Sequence, residues 1–139
     1  MRACLIDGKI FFEGRMYDLE PSSGFGGFCE CGGLMNQMGW VGMWLMVSEC
    51  ESCWRVEVFL YKDFRFVERF EIPCLSMREF LMEILTPSEF DALIKRLNGK
   101  RYNYSMFSRA KKKIDEINLN LDDVIKSLSI DLSKASHSP

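Results

Sequence analysis

Six cysteines are the residues of this chain with the most chemistry to offer, and four of them fall into two close pairs. Cys29-Glu30-Cys31-Gly32-Gly33 is followed by Cys50-Glu51-Ser52-Cys53-Trp54, with eighteen residues between Cys31 and Cys50. Two pairs with room between them for one strand and its return let four thiolates converge on one tetrahedral ion. The glycines after Cys31 fit this, because backbone that wraps an ion closely turns its amides toward the sulfurs and favours residues without a Cβ. Such a closed set leaves no coordination position for water or substrate, so the expected cofactor is one structural Zn2+ held by Cys29, Cys31, Cys50 and Cys53. Two other readings stay open. A disulfide framework needs an oxidising compartment, and the first residues carry no secretory pattern. A redox-active Cys50-Glu51-Ser52-Cys53 pair expects a helix amino terminus, whereas the residues after Cys53 read as strand. Cys4 and Cys74 read as small buried hydrophobes.

Other catalytic groups are missing from the pattern. The single histidine, His137, lies in a tail expected from Ser133 to Pro139, and neither a paired-carboxylate motif nor a nucleophile beside a base is visible. An enzyme, and with it a small-molecule substrate, is not expected.

The elements that must position the cysteines come from the front half. Leu5-Ile6-Asp7-Gly8-Lys9-Ile10-Phe11-Phe12 places an Asp-Gly turn between apolar runs, and Glu13-Gly14 offers a second turn, which predicts a β meander. Pro21 to Phe28 is glycine-rich, lacks the Lys-Ser/Thr of a phosphate loop, and reads as a flexible lead into the first cysteines. Trp40 to Ser48 reads as a well-covered strand. Beyond Cys53 the period is two, with Trp54, Val56, Val58 and Leu60 opposite Arg55, Glu57, Phe59 and Tyr61. Lys62-Asp63 is the expected turn, and the next strand should put Phe64, Phe66, Phe70 and Ile72 on one side.

From Ser76 the period becomes helical. Ser76-Met77-Arg78-Glu79 and Thr86-Pro87-Ser88-Glu89 are two capping boxes, Asn98-Gly99 is a stop, and Asn103 and Asn120 are caps for a third and fourth helix. The fold class is therefore α+β: an antiparallel β meander and zinc-bearing strands over 1–74, then about four short helices over 75–132 and a flexible tail over 133–139. The longest apolar run, Trp40 to Val47, falls far short of the roughly 20 residues that span a bilayer, so no membrane association is expected.

The net charge of −2 conceals −4 over residues 1–75 and +2 over residues 76–139. Lys95 to Lys113 holds Lys95, Arg96, Lys100, Arg101, Arg109, Lys111, Lys112 and Lys113 with no acid, and Tyr102, Tyr104 and Phe107 interleaved. On the third helix Ser105, Ser108, Arg109 and Lys112 turn away from the apolar stripe, with Lys111 and Lys113 flanking. Hydroxyls and long cations on one face suit phosphates and base edges, which makes these residues and Tyr104 candidates for binding nucleic acid, DNA before RNA.

Residues 28–72 resemble the zinc ribbons of general transcription factors and RNA polymerase subunits, through Cys29, Cys31, Cys50, Cys53 and the strands around them. Residues 88–117 resemble a helix-turn-helix, with 103–117 as its recognition helix. Together these imply a transcription or replication accessory factor of a reducing compartment, cytoplasmic or, in a eukaryote, nuclear. Ribbons that assist transcript cleavage carry an acidic pair at a hairpin tip, and Lys62-Asp63 does not supply it. The alternative is an adaptor or inhibitor that binds another protein through its aromatic-rich sheet and basic patch, without nucleic acid.

Overall fold

The Asp7-Gly8 signal becomes a hairpin between β1 (Ala3–Ile6) and β2 (Lys9–Phe12). Both turn residues take positive φ, 45° and 77°, in the two-residue turn whose twist matches its strands. Glu13-Gly14 repeats the device at 46° and 86° and leads into β3 (Arg15–Asp18). The computed structural model describes residues 1–136, with side chains as far as Ser129; His137 lies outside the described residues. The architecture is α+β, with sheets first and four helices after them. The chain forms two compact units, residues 1–12 with 17–74 and residues 13–16 with 75–139.

β1, β2 and β3 make one sheet. A six-stranded sheet contains β4 (Glu20–Pro21), β5 (Phe25–Phe28), β6 (Leu34–Val41), β7 (Leu45–Cys50), β8 (Val56–Lys62) and β9 (Arg65–Glu71). Its order is β4-β6-β7-β8-β9, with β5 also on β6. The three strands expected around the metal are thus part of a larger sheet. The single strand expected over Trp40 to Ser48 is broken by a turn at Gly42, where Trp44 N–H donates to the Val41 carbonyl at 3.3 Å.

One face of the large sheet packs on the small one: Leu45, Val47, Val56, Val58 and Ile72 meet Ala3, Leu5, Ile10 and Phe12 in the main core. Leu5 N–H donates to the Pro73 carbonyl at 3.0 Å, tying β1 to the chain just after β9. The other face carries a smaller core of Cys29, Met35, Met46, Cys50 and Phe59, with Trp40 and Tyr61 packed against it. Here β5 lies directly on its neighbours. A Cβ on Gly26 would come within 2.4 Å of Ser48 Oγ and 2.8 Å of the Gln37 nitrogen, and one on Gly27 within 3.0 Å of the Phe59 ring. The stretch expected to be a flexible lead is a strand whose glycines are required by close approach.

The β8–β9 hairpin departs from simple alternation. Leu60 pairs with Glu68 but Tyr61 pairs with Phe66, so Val67 is an extra residue. This bulge turns Phe66 to the outer face, 6.3 Å from Phe59 and 6.1 Å from Tyr61, while Phe70 stays inside, 6.5 Å from Phe12. The turn falls one residue later than expected, on Asp63 and Phe64 at φ 52° and 66°, because Lys62 already pairs with Arg65.

In the helical unit, Ser76 and Thr86 cap α1 (Met77–Ile84) and α2 (Pro87–Leu97), each with its full capping box. Gly99, at φ 67°, follows the end of α2. Asn103 caps α3 (Tyr104–Glu116), and Asn120 accepts from the Asp122 N–H at the start of α4 (Leu121–Ser136). Residues 133–136, expected as tail, are therefore helical. The buried apolar set includes Met77, Phe80, Leu81, Leu85, Ala92, Leu93, Ala110, Ile114, Leu119, Val124 and Leu128. On α2 the stripe is rotated from expectation: Glu89 and Ala92 are buried, and Phe90, Ile94 and Leu97 only half so. Met16 is buried in this unit, its N–H donating to the Ile117 carbonyl at 2.7 Å and its carbonyl accepting from Asn118. Among the described residues no helix is long and apolar enough to cross a membrane.

Candidate metal centre and basic surface

The ends of β5 and β7 deliver the two cysteine pairs to one place. Cys29 directly follows β5, and Gly32 N–H returns to its carbonyl at 2.9 Å while Cys29 N–H donates to Gly33 at 2.9 Å, closing a tight knuckle. Cys50 ends β7 in the same manner, its carbonyl accepting from Trp54 at 3.1 Å and its N–H donating to Arg55 at 2.8 Å. Glu51 N–H donates to the Leu34 carbonyl at 3.0 Å and so links the knuckles.

All four sulfurs lie within 4.8 Å of one another. The shortest separations run between knuckles, Cys29 to Cys53 at 3.6 Å and Cys31 to Cys50 at 3.5 Å. A tetrahedron with metal–sulfur bonds of about 2.3 Å has edges of about 3.8 Å, close to these, whereas a disulfide needs about 2.05 Å. None of the cysteines is disulfide-bonded. The four can hold a metal ion, and the backbone is arranged for thiolates: Gly33 N–H points at Cys31 Sγ (3.3 Å) and Ser52 N–H at Cys50 Sγ (3.4 Å). A Cβ on Gly33 would fall 2.8 Å from Cys50 Sγ, so the first knuckle cradles the second only with glycine there. The redox reading has no helix to support it, since Cys53 leads into β8. Of the other two cysteines, Cys4 is buried as expected and Cys74 is exposed.

The sulfurs do not ionise alike. The Cys53 N–H, followed by the Ser52 N–H and neighbouring thiols, outweighs burial at Cys50 and brings it down to about 7. At Cys53 the Arg55 N–H favours the thiolate, but burial and three neighbouring sulfurs prevail and push it up to about 12. Four sulfurs this close could all be thiolates only with a cation among them.

One supporting residue carries no signal in the alternation pattern. Arg69, on β9, makes a fork to buried Glu57 with bonds of 3.0 and 2.8 Å, reaches the Phe28 carbonyl at 2.7 Å, and lies 4.4 Å above the Phe59 ring. It thereby fixes the residue before Cys29 to the far strands of the sheet. The Arg69 hydrogen bond, foremost, holds the Glu57 carboxyl below its ordinary value despite burial.

The basic candidates separate into committed and uncommitted groups. Lys113 turns inward and pairs with buried Glu89 at 2.7 Å, Lys95 pairs with Asp91 at 3.0 Å, and Arg96 lies over Tyr102 and Phe107 at 5.6 and 5.7 Å. Lys100, Arg101, Tyr104, Ser105, Ser108, Arg109, Lys111 and Lys112 are exposed. Asp115 and Glu116 share a shallow groove with Ser108, Lys111 and Lys112.

An antiparallel β domain with a four-cysteine centre, continued by a four-helix domain, is the class of protein that this fold and site define. The chain belongs to the AF0631-like family. Residues 4–74 match its N-terminal beta-barrel domain and residues 75–127 its C-terminal four-helix domain. The chain is 34% identical over 107 residues, 73% of its own length and 78% of the other's, to an uncharacterized protein of Archaeoglobus fulgidus. No solved structure matches it significantly.

This family overturns the resemblance to transcription-factor and polymerase zinc ribbons. The cysteine-bearing strands are integral to one barrel-type domain that begins at residue 4, with a core shared between two sheets. The helix-turn-helix resemblance falls with it, because α2 and α3 belong to a four-helix domain and Lys113 of the supposed recognition helix is spent on Glu89. With these goes the ground for placing the chain among transcription or replication factors.

Proposed function

We propose that this is a non-enzymatic nucleic-acid-binding protein, its β domain held by one structural zinc and its third helix supplying cations to phosphates. Zinc is supported by the donor set, four thiolates in a closed tetrahedral arrangement, the ligation that soft, redox-inert Zn2+ takes. The observation that carries the binding reading is the group Lys100, Arg101, Arg109, Lys111 and Lys112, exposed and without an ion-pair partner among the described residues. Unpaired cations on one short stretch of an acidic chain suit a polyanion, DNA before RNA. Unbonded thiols at the centre fit a reducing compartment.

Filter-binding titrations against duplex and single-stranded DNA and RNA at several salt concentrations test this. Affinity should fall steeply with salt, and Arg109→Ala and Lys112→Ala should each reduce the log–log slope by about one. Lys113→Ala is the control, expected to lower stability through Glu89 and not to act on the slope as a phosphate contact would. The second reading, a protein-binding adaptor, is supported by Phe25 and Phe28, 57% and 63% exposed and packed edge to face. Absence of affinity for every nucleic acid tried would favour it.

A further inference from the structure

A groove of about 370 Å3 lies between α1 and α2, and each helix gives it one face. Arg78, Met82 and Leu85 come from α1 at spacings of four and three, and Phe90, Asp91 and Ile94 from α2 at one and three. We propose that this groove is the contact between two copies of the chain related by a two-fold axis, with the apolar side chains packed together and Arg78 of each copy paired with Asp91 of the other.

The groove exists because of Glu89. Its carboxylate accepts from the Thr86 N–H at 2.8 Å and pairs with Lys113 at 2.7 Å, and the side of α2 that carries Glu89, Ala92 and Leu93 is buried. Phe90 and Ile94, which the helical period marks as core, are thereby left half-buried, and Met82 of α1 joins them in the groove at 59% exposed. The two charges on the groove select what covers it. Arg78 is exposed, lies 5.5 Å from the Phe90 ring, and has no ion-pair partner among the described residues. Asp91 gives one oxygen to Lys95 at 3.0 Å, an exposed pair one helical turn apart that contributes little, and keeps its other oxygen for a second cation. A surface with one cation, one anion and an apolar stripe is its own complement, because a two-fold axis carries the cation of each copy to the anion of the other and lays stripe on stripe. A helix of another protein would have to carry this pattern in reverse, whereas a second copy supplies it by symmetry.

The proposal does not rest on the α3 reading, because it uses neither the cations from Lys100 to Lys112 nor nucleic acid. Sedimentation equilibrium of the full chain over a range of concentrations, with no nucleic acid present, tests it. The parent should show a monomer–dimer equilibrium. Met82→Glu changes a side chain that is already 59% exposed, so it should leave the melting temperature unchanged and abolish the dimer. Arg78→Asp and Asp91→Arg each set like charges against one another at two symmetry-related contacts, and each should raise the dissociation constant at least about tenfold. Arg78→Asp combined with Asp91→Arg makes the charges opposite again and should bring the constant back to within about threefold of the parent's. A parent that stays monomeric at every concentration would overturn the proposal and leave the groove to a helix of another protein. A dimer that Met82→Glu does not weaken, or a double variant that associates no more tightly than the single ones, would overturn it equally.

Discussion

Trp54 and Gly33 flank the four-cysteine cluster and make opposite demands on their side chains. Trp54 follows the last cysteine at φ 65° with its indole 73% exposed, so the closed turn around Cys50 imposes a left-handed conformation on a bulky residue. That costs about 1–2 kcal/mol, which Trp54→Gly should largely recover against the extra chain entropy of glycine. A urea midpoint equal to or above the parent's, with metal content unchanged, is the expected outcome. Gly33→Ala should do the reverse. Its Cβ would sit 2.7 Å from Ser52 Oγ and 2.8 Å from Cys50 Sγ, and a sulfur tied to a metal cannot step aside. Chelator competition should show metal affinity down at least about tenfold, with a stability loss of about 1–3 kcal/mol. Gly33 was legible in the sequence because glycine beside closely spaced cysteines has a physical purpose. Trp54 was not, since a side chain does not announce a positive φ.

At the scale of the element, β9 shows where reading by alternation stops. The capping boxes at Ser76 and Thr86, the caps at Asn103 and Asn120 and the Asp7-Gly8 turn were legible because each is a local bond between neighbours. The bulge at Val67 is a relation between two strands, and nothing within β9 marks it, so Phe66 was assigned to the wrong face. Arg69 was equally hidden, because its value lies in Glu57 and the Phe28 carbonyl, groups remote in sequence. Arg69→Met would leave Glu57 buried beside only Arg55, 3.4 Å away. The expected loss is about 2–3 kcal/mol, below the full cost of an orphaned buried charge because Arg69 is partly solvated. Glu57 is depressed below its ordinary 4.5, so its contribution is present above that pH and disappears as pH falls through the folded value. Denaturant curves from pH 7 to pH 3 should therefore converge: the gap between parent and Arg69→Met narrows below about pH 4.5, where Glu57 protonates in both unfolded chains. A gap constant with pH would mean that Arg69 acts through packing on Phe59 alone.

For the whole molecule, the four-cysteine cluster belongs to one compact unit while the chain's path assigns four residues of the front half to the other. Residues 13–16 pack with the helices, and the Met16 N–H bonds the Ile117 carbonyl at 2.7 Å. The sequence placed a boundary near residue 74 from the change of period, but a short excursion of the meander into the helical unit has no periodic signature. Metal binding supplies folding energy only where its ligands are, at the ends of β5 and β7. Hydrogen exchange with and without added zinc should then divide the chain by unit and not by sequence position. Amides of β5 to β8 should lose protection, since Cys29, Cys50 and the small core with Met35 and Phe59 lie there. Amides of α1 to α3 should keep theirs, and the Met16 amide should follow the helices although the chain returns to the first unit at Tyr17. Loss of Met16 protection together with β5 to β8 would show that the centre stabilises both units, and the assignment of zinc to the β domain alone would then be wrong.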